Sequence, residues 1–226
     1  MENKNALTKT GKKDSKTGKT MSGKSQSGNS SQSGMGQSSY GNTMMEGAEE
    51  NSLEKVFEKL LKDIYTAELE LVDALPKVIE ATYEEDLEDA IKDHLEETKR
   101  QVKRLEKIFA QLRIDKEDSE ISAPISELIG ETTKIISEFE SGPVRDSALI
   151  IAAQKIEHYE IAAYGSLRTL ADVLGLEQIG DVLDRTLEEE KAADELLSEL
   201  AEEINEMACD YSDREYENQS WTSGRE

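Results

Sequence analysis

The segment Lys155–Gly165, KIEHYEIAAYG, decides how this chain should be read. It lies in the middle of a long helical pattern and places Glu157, His158, Tyr159, Glu160 and Tyr164 among small apolar residues. Ile150, Gln154, Glu157, Ile161 and Tyr164 recur at steps of three and four, which is one face of a helix, with Glu160 on its flank. Glu157 therefore points where the helix packs. An acidic side chain is almost never fully buried unless it is paired or bound to a metal. The segment thus asks what neutralises it.

Working outward, the same spacing predicts helices almost throughout. Leu53, Val56, Leu60, Ile64, Leu71, Leu75 and Val78 define a first helix, with Asn51 or Ser52 able to cap its start and Pro76 expected to kink it near its end. A second runs from about Glu84 to Leu112, with Leu87, Ile91, Leu95, Leu105, Ile108 and Leu112 inward. After the polar stretch RIDKEDSEISAP comes a shorter amphipathic helix, about Ile125 to Phe139. ESGPVRD breaks the chain again. A third long helix covers about Val144 to Leu174, and GLEQ separates it from a fourth, about Glu177 to Met207. No stretch alternates with period two, so no strands are expected. Short links within each pair and a long link between pairs predict an all-α, ferritin-like four-helix bundle whose one long crossover carries a short extra helix. No repeated sequence unit supports a solenoid.

Polar residues interrupt every inner stripe. Glu68 falls between Ile64 and Leu71. On the second helix His94, Thr98 and Gln101 lie inward, with Glu97 beside Thr98. On the fourth, Leu183, Thr186, Glu190, Ala193 and Leu197 form the stripe, with Asp194 adjacent. Each long helix thus offers a glutamate near its middle: Glu68, Glu97, Glu157 and Glu190. Four ionised carboxylates in an apolar core repel one another and lose hydration. Few basic residues share those faces, so a pair of cations coordinated by carboxylate oxygens is the direct solution. The competing view is bland: the chain is rich in glutamate, and any one of these side chains could be solvated at a flank. His158 points off its stripe. His94 sits one turn before Glu97, placed to be a ligand or to hydrogen-bond one. Tyr65, Tyr159 and Tyr164 read as core or boundary aromatics, and Cys209 as incidental.

Composition narrows the function classes. The 226 residues carry a formal charge of -23, from 50 acidic and 27 basic residues. Such an acidic surface argues against nucleic-acid binding by the folded domain. A single cysteine leaves no disulfide to form within the chain, in keeping with a reducing cytoplasm. No apolar run approaches the roughly 20 residues of a membrane helix, and no signal-peptide core is present, so a cytoplasmic protein without membrane contact is expected. Residues 1–46 are a basic, low-complexity tail (GKTMSGKSQSGNSSQSGMGQSS, Gly18–Ser39) with almost no aliphatic residues, expected to be disordered. It is a solubilising linker, an electrostatic cover for the acidic body, or an arm for docking an anionic partner. Residues 47–210 form the bundle and 211–226 a loose polar tail.

Four segments carry a resemblance. LKDIYTAELELVDALPKV (Leu61–Val78), HLEETKRQVKRLEKIF (His94–Phe109), GPVRDSALIIAAQKIEHYEIAAYGSLRTLA (Gly142–Ala171) and TLEEEKAADELLSELA (Thr186–Ala201) resemble the YciF/YciE family of bacterial ferritin-like proteins. The resemblance spans about Leu53 to Ala208 and omits the N-terminal tail. It implies a rubrerythrin-like bundle, commonly a homodimer, associated with bacterial stress responses. The wider ferritin-like superfamily places a Glu on each of two helices and Glu-x-x-His on the other two. Here Arg100 follows Glu97 by three, Ala193 follows Glu190, and Glu160 follows Glu157. His94, Gln101, Glu160 and Asp194, each one turn from a glutamate, are the substitutes. The carboxylate set predicts two metal ions, iron first and manganese next because both take oxygen-rich ligands, bridged by Glu97 and Glu190 with Glu68 and Glu157 terminal, reacting with oxygen or peroxide. A non-catalytic helical scaffold, dimerising through an outer apolar face and binding metal weakly or not at all, is the alternative from a different class. A storage shell has no signal in the sequence.

Overall fold

The computed structural model describes residues 51–116 and 123–223, which form helices only. They are α1 (Leu53–Ala81), α2 (Glu85–Leu112), α3 (Ala123–Glu138), α4 (Pro143–Val173) and α5 (Glu177–Ser223). The N-terminal tail of residues 1–46 lies outside the described residues. The expected all-α bundle with a short helix on its crossover is what the chain forms. α1 pairs with α2 and α4 with α5. Across the bundle α1 meets α4 and α2 meets α5, while α3 lies against α1 and α4.

Local chemistry sets the helix ends. Ser52 caps α1, its hydroxyl accepting from the Lys55 amide at 3.3 Å. α1 runs through Pro76 to Ala81, so the proline does not end it. α4 closes in a Schellman motif. The Leu176 amide donates to the Ala171 carbonyl at 2.8 Å and the Gly175 amide to that of Asp172 at 3.2 Å. Gly175 supplies the left-handed residue this turn requires, with φ of 70°. α5 continues past residue 210 to Ser223, where a loose tail was expected. No glycine or proline stands between Gly180 and Gly224 to stop it.

The α2 N-terminus is capped from across the bundle. Asp146 of α4 is fully buried, and its carboxylate accepts from the Glu84 amide at 2.8 Å and the Tyr83 amide at 3.0 Å. Arg145 beside it donates to the Ala81 carbonyl at the end of α1. Two consecutive α4 residues thus clamp the α1–α2 turn.

Apolar burial falls into two clusters. One centres on Phe57, Leu61, Ile64, Leu105 and Leu167, the other on Leu87, Ile91, Ile150, Leu197 and Ile204. The buried polar side chains Glu68, Gln101, Glu157, Glu160 and Glu190 occupy the intervening stretches of the four long helices. Asp146→Ala strips two amides of their partner in a buried turn. It is expected to cost about 1–3 kcal/mol in urea unfolding, with the helical far-ultraviolet spectrum unchanged.

Candidate metal centre

Each helix reaches the central layer in its own way. α1 contributes Glu68, with no exposed surface. α2 contributes His94 and Gln101, two turns apart on the stripe that also holds Thr98 and Leu105. α5 contributes Glu190, again with no exposed surface. α4 contributes two acids, Glu157 and Glu160, 3% and 1% exposed. The doubling follows from packing: α4 contacts α1, α3 and α5, so a wide arc of it is interior and a flank position such as Glu160 is covered.

Ligand-type atoms of His94, Glu157, Glu160 and Glu190 all lie within 4.8 Å of one another. His94 Nε2 stands 3.5 Å from Glu157 Oε1. Glu68 joins the group through its charge interactions with Glu157, Glu160 and Glu190. The Tyr164 hydroxyl donates to Glu68 Oε1, and the Gln101 amide donates to Glu190 Oε1. One oxygen on each acid (Glu68, Glu157, Glu160 and Glu190, Oε2 in every case) is buried without a hydrogen-bond partner, as are His94 Nδ1 and Gln101 Oε1.

The electrostatics are severe. Two unit charges 4 Å apart interact by roughly 4 kcal/mol at an effective dielectric of 20. Among the described residues, no lysine or arginine pairs with any of the four acids. The nearest guanidinium, Arg104, is engaged by Glu189 through bonds of 2.6 and 2.7 Å, and it also donates to Thr186 Oγ1 at 2.7 Å. Burial lowers the proton affinity of His94, so it does not supply a counter-charge, and its neutral imidazole is the ligand form. Burial first, then neighbouring negative charge, pushes Glu68 and Glu157 up to about 8, although hydrogen bonds from Tyr164 and Glu190 respectively pull them down. The same causes raise Glu160 and Glu190 well above the carboxylate range. The closeness of the two carboxyls favours the charged form of Glu157 and the neutral form of Glu190. The layer must take up protons or a cation.

Of the residues singled out from sequence, the structure brings Glu68, Glu157, Glu160, Glu190, His94 and Gln101 together. It places Glu97 and Asp194 at the rim. Glu97 keeps 35% of its side chain exposed and pairs with Arg100 at 3.3 Å. On α2 it is turned roughly 80° from the centre of the inner stripe, at 100° per residue. Asp194 pairs with His158 at 3.4 Å and accepts from Gln154 at 3.3 Å. Sequence reasoning passed over Arg104 and Glu189, which seal one side of the layer, and Asp146. Arg104 follows Gln101 by three, a spacing that would have marked it as facing the same neighbour.

The proton balance has a signed consequence for metal-free protein. In the folded chain Glu68 and Glu157 are pushed from the ordinary 4.5 up to about 8. Their contribution to stability is therefore fully present below about pH 4.5 and is lost as pH rises through about 8. Urea unfolding of chelator-treated protein should show stability falling by several kcal/mol across that window, at about 1.4 kcal/mol per tenfold change in proton affinity. Glu68→Gln should flatten the slope.

Comparison with known proteins agrees with this architecture. Residues 52–209 match the family described as a domain of unknown function, DUF892. The chain is 45% identical over 150 residues to Protein YciF of Escherichia coli strain K12, covering 66% of this chain and 90% of that protein. The crystal structure of the E. coli stress protein YciF superposes with a TM-score of 0.66 at 43% identity, covering 69% of this chain and 98% of that one. YcfI of Rhodopseudomonas palustris, provisionally described as a structural protein, superposes with a TM-score of 0.62 at 38% identity, covering 66% and 94%. The family match, the YciF relative and the shared bundle agree: this chain belongs to the DUF892 family, the family of the YciF stress protein.

Proposed function

We propose that this protein is a ferritin-like metal-carboxylate protein of the bacterial stress response, holding two ions, iron first and manganese next, in its central layer. The observation that carries this reading is the set of four buried acids with unpartnered oxygens, none of which pairs with a lysine or arginine among the described residues. Glu157, Glu160, Glu190 and His94 would hold the ions, with Glu68 completing the set. An oxygen-rich set with one imidazole suits iron and manganese. When bound, either metal supplies one-electron chemistry toward oxygen or peroxide.

The remaining residues have supporting tasks. Gln101 orients Glu190 by donating to one of its oxygens, leaving the other free. Tyr164 does the same for Glu68. Arg104 ties α2 to α5 through Glu189 and closes that flank to water. The setting is a cytoplasmic homodimer, with residues 1–46 as an arm for an anionic partner.

A second reading, a scaffold protein whose acids stay protonated, is favoured by the description of the R. palustris relative. Elemental analysis of protein purified from its native host separates the two. The metal reading expects iron or manganese near two ions per chain. It also expects a raised melting temperature on adding Fe(II) or Mn(II) to chelator-treated protein, with affinity lowered at least about tenfold in Glu157→Gln and Glu190→Gln. Metal-free native protein that melts identically with and without either ion would sink it.

A further inference from the structure

The apolar cluster on the Asp146 side of the carboxylate layer does not fill its space. A cavity of about 490 Å³ opens there, reached by all five helices and walled mainly by aliphatic side chains such as Leu75, Ile91, Ile150 and Leu197. Protein interiors normally leave few voids larger than a water molecule. This volume lies within the 300–1,000 Å³ range of small-molecule pockets. His94 and Ile156 line one end, against the acids, and Arg145 lines the other. Arg145 and Ile156 are separated by eleven positions of α4 (145 to 156), or about 16 Å along its axis. The cavity is long and greasy, as an extended hydrocarbon chain requires.

Its polar end says what such a chain must carry. Arg145 donates through Nη2 to the Ala81 carbonyl, but its Nε is buried and has no partner. Asp146, beside it, is committed to the Tyr83 and Glu84 amides. Lys77 and Glu80 also line the cavity, so its charged lining carries one net positive charge. A monoanionic head fits that balance, whereas a second negative charge would meet Glu80. We propose that this cavity binds an unbranched aliphatic carboxylate, its head on the Arg145 guanidinium and its chain running to His94. Binding of this kind needs no metal in the central layer, and it leaves the far end of the chain beside that layer.

The test is titration of dodecanoate, below its micellar concentration, into purified full-length protein. Calorimetry would follow binding, and nuclear magnetic resonance the isoleucine methyls. One saturable site is expected, shifting the methyls of Ile91, Ile136 and Ile150 and leaving those of Ile64 and Ile179 in the other apolar cluster unmoved. Arg145→Gln should weaken dodecanoate tenfold or more while leaving dodecanol within twofold. Ala153→Phe and Ala90→Phe, each verified by its melting curve, should exclude both ligands. Chelator treatment should leave dodecanoate affinity unchanged, so failure of the metal reading would not remove this one. The proposal is overturned if wild-type protein shows no saturable binding, if dodecyltrimethylammonium binds as tightly as dodecanoate, or if the shifted methyls lie outside the cavity. Those readouts on wild-type protein decide the matter even if a filling variant does not fold.

Discussion

Four carboxyl groups buried within one layer set the terms on which this bundle folds. Hydrophobic association drives the helices together, yet it also drags Glu68, Glu157, Glu160 and Glu190 out of water. Ionised together and unpaired, they would repel one another strongly enough to rival the net stability of a domain of this size. The chain meets this constraint partly with neutral hydrogen-bond donors. Tyr164 satisfies one oxygen of Glu68 and Gln101 one of Glu190. The oxygens left over are what a cation would use. Protons and a cation would compete for the same atoms, so pH would control both stability and loading.

The layer is lopsided for a structural reason. α4 is enclosed by three neighbours and turns two glutamates inward, whereas α2 supplies an imidazole and an amide. The ferritin-like pattern of one Glu-x-x-His on each of two helices is therefore redistributed. Glu160 stands where a histidine would follow Glu157, and His94 enters from a different turn of α2. Replacing an imidazole by a carboxylate hardens the site and adds negative charge, which favours higher-charge states of a bound metal. Arg104, bidentate on Glu189, eases the charge on Glu68 only in part, because Glu189 opposes it.

On either side of the layer the apolar clusters differ in character. The one around Phe57, Leu105 and Leu167 includes the edge-to-face contact of Tyr65 with Phe109, with centroids 5.2 Å apart. The other surrounds an open cavity and is held at its end by backbone clamps from Arg145 and Asp146. Those clamps fix the α1–α2 turn independently of how well the interior is filled. One half of the bundle is packed through, and the other keeps space beside the acids.

Taken alone, the sequence determined the helices, their order and the bundle class, because three- and four-residue periodicity and Gly or Pro punctuation are local properties of the chain. It also determined that acids interrupt every stripe, and it placed Glu68, Glu157 and Glu190 inward correctly from spacing. What only the tertiary structure decided was the membership of the cluster. Glu160 and Glu97 both stand about 80° off their inner stripes. Glu160 joined the cluster because α4 is covered over a wide arc by three neighbours, and Glu97 stayed at the rim because α2 has only two. The Asp146 cap and the Arg104–Glu189 pair join residues 62 and 85 positions apart, separations at which periodicity carries no information. The cavity was equally hidden, since a void is the space that several helices together fail to fill.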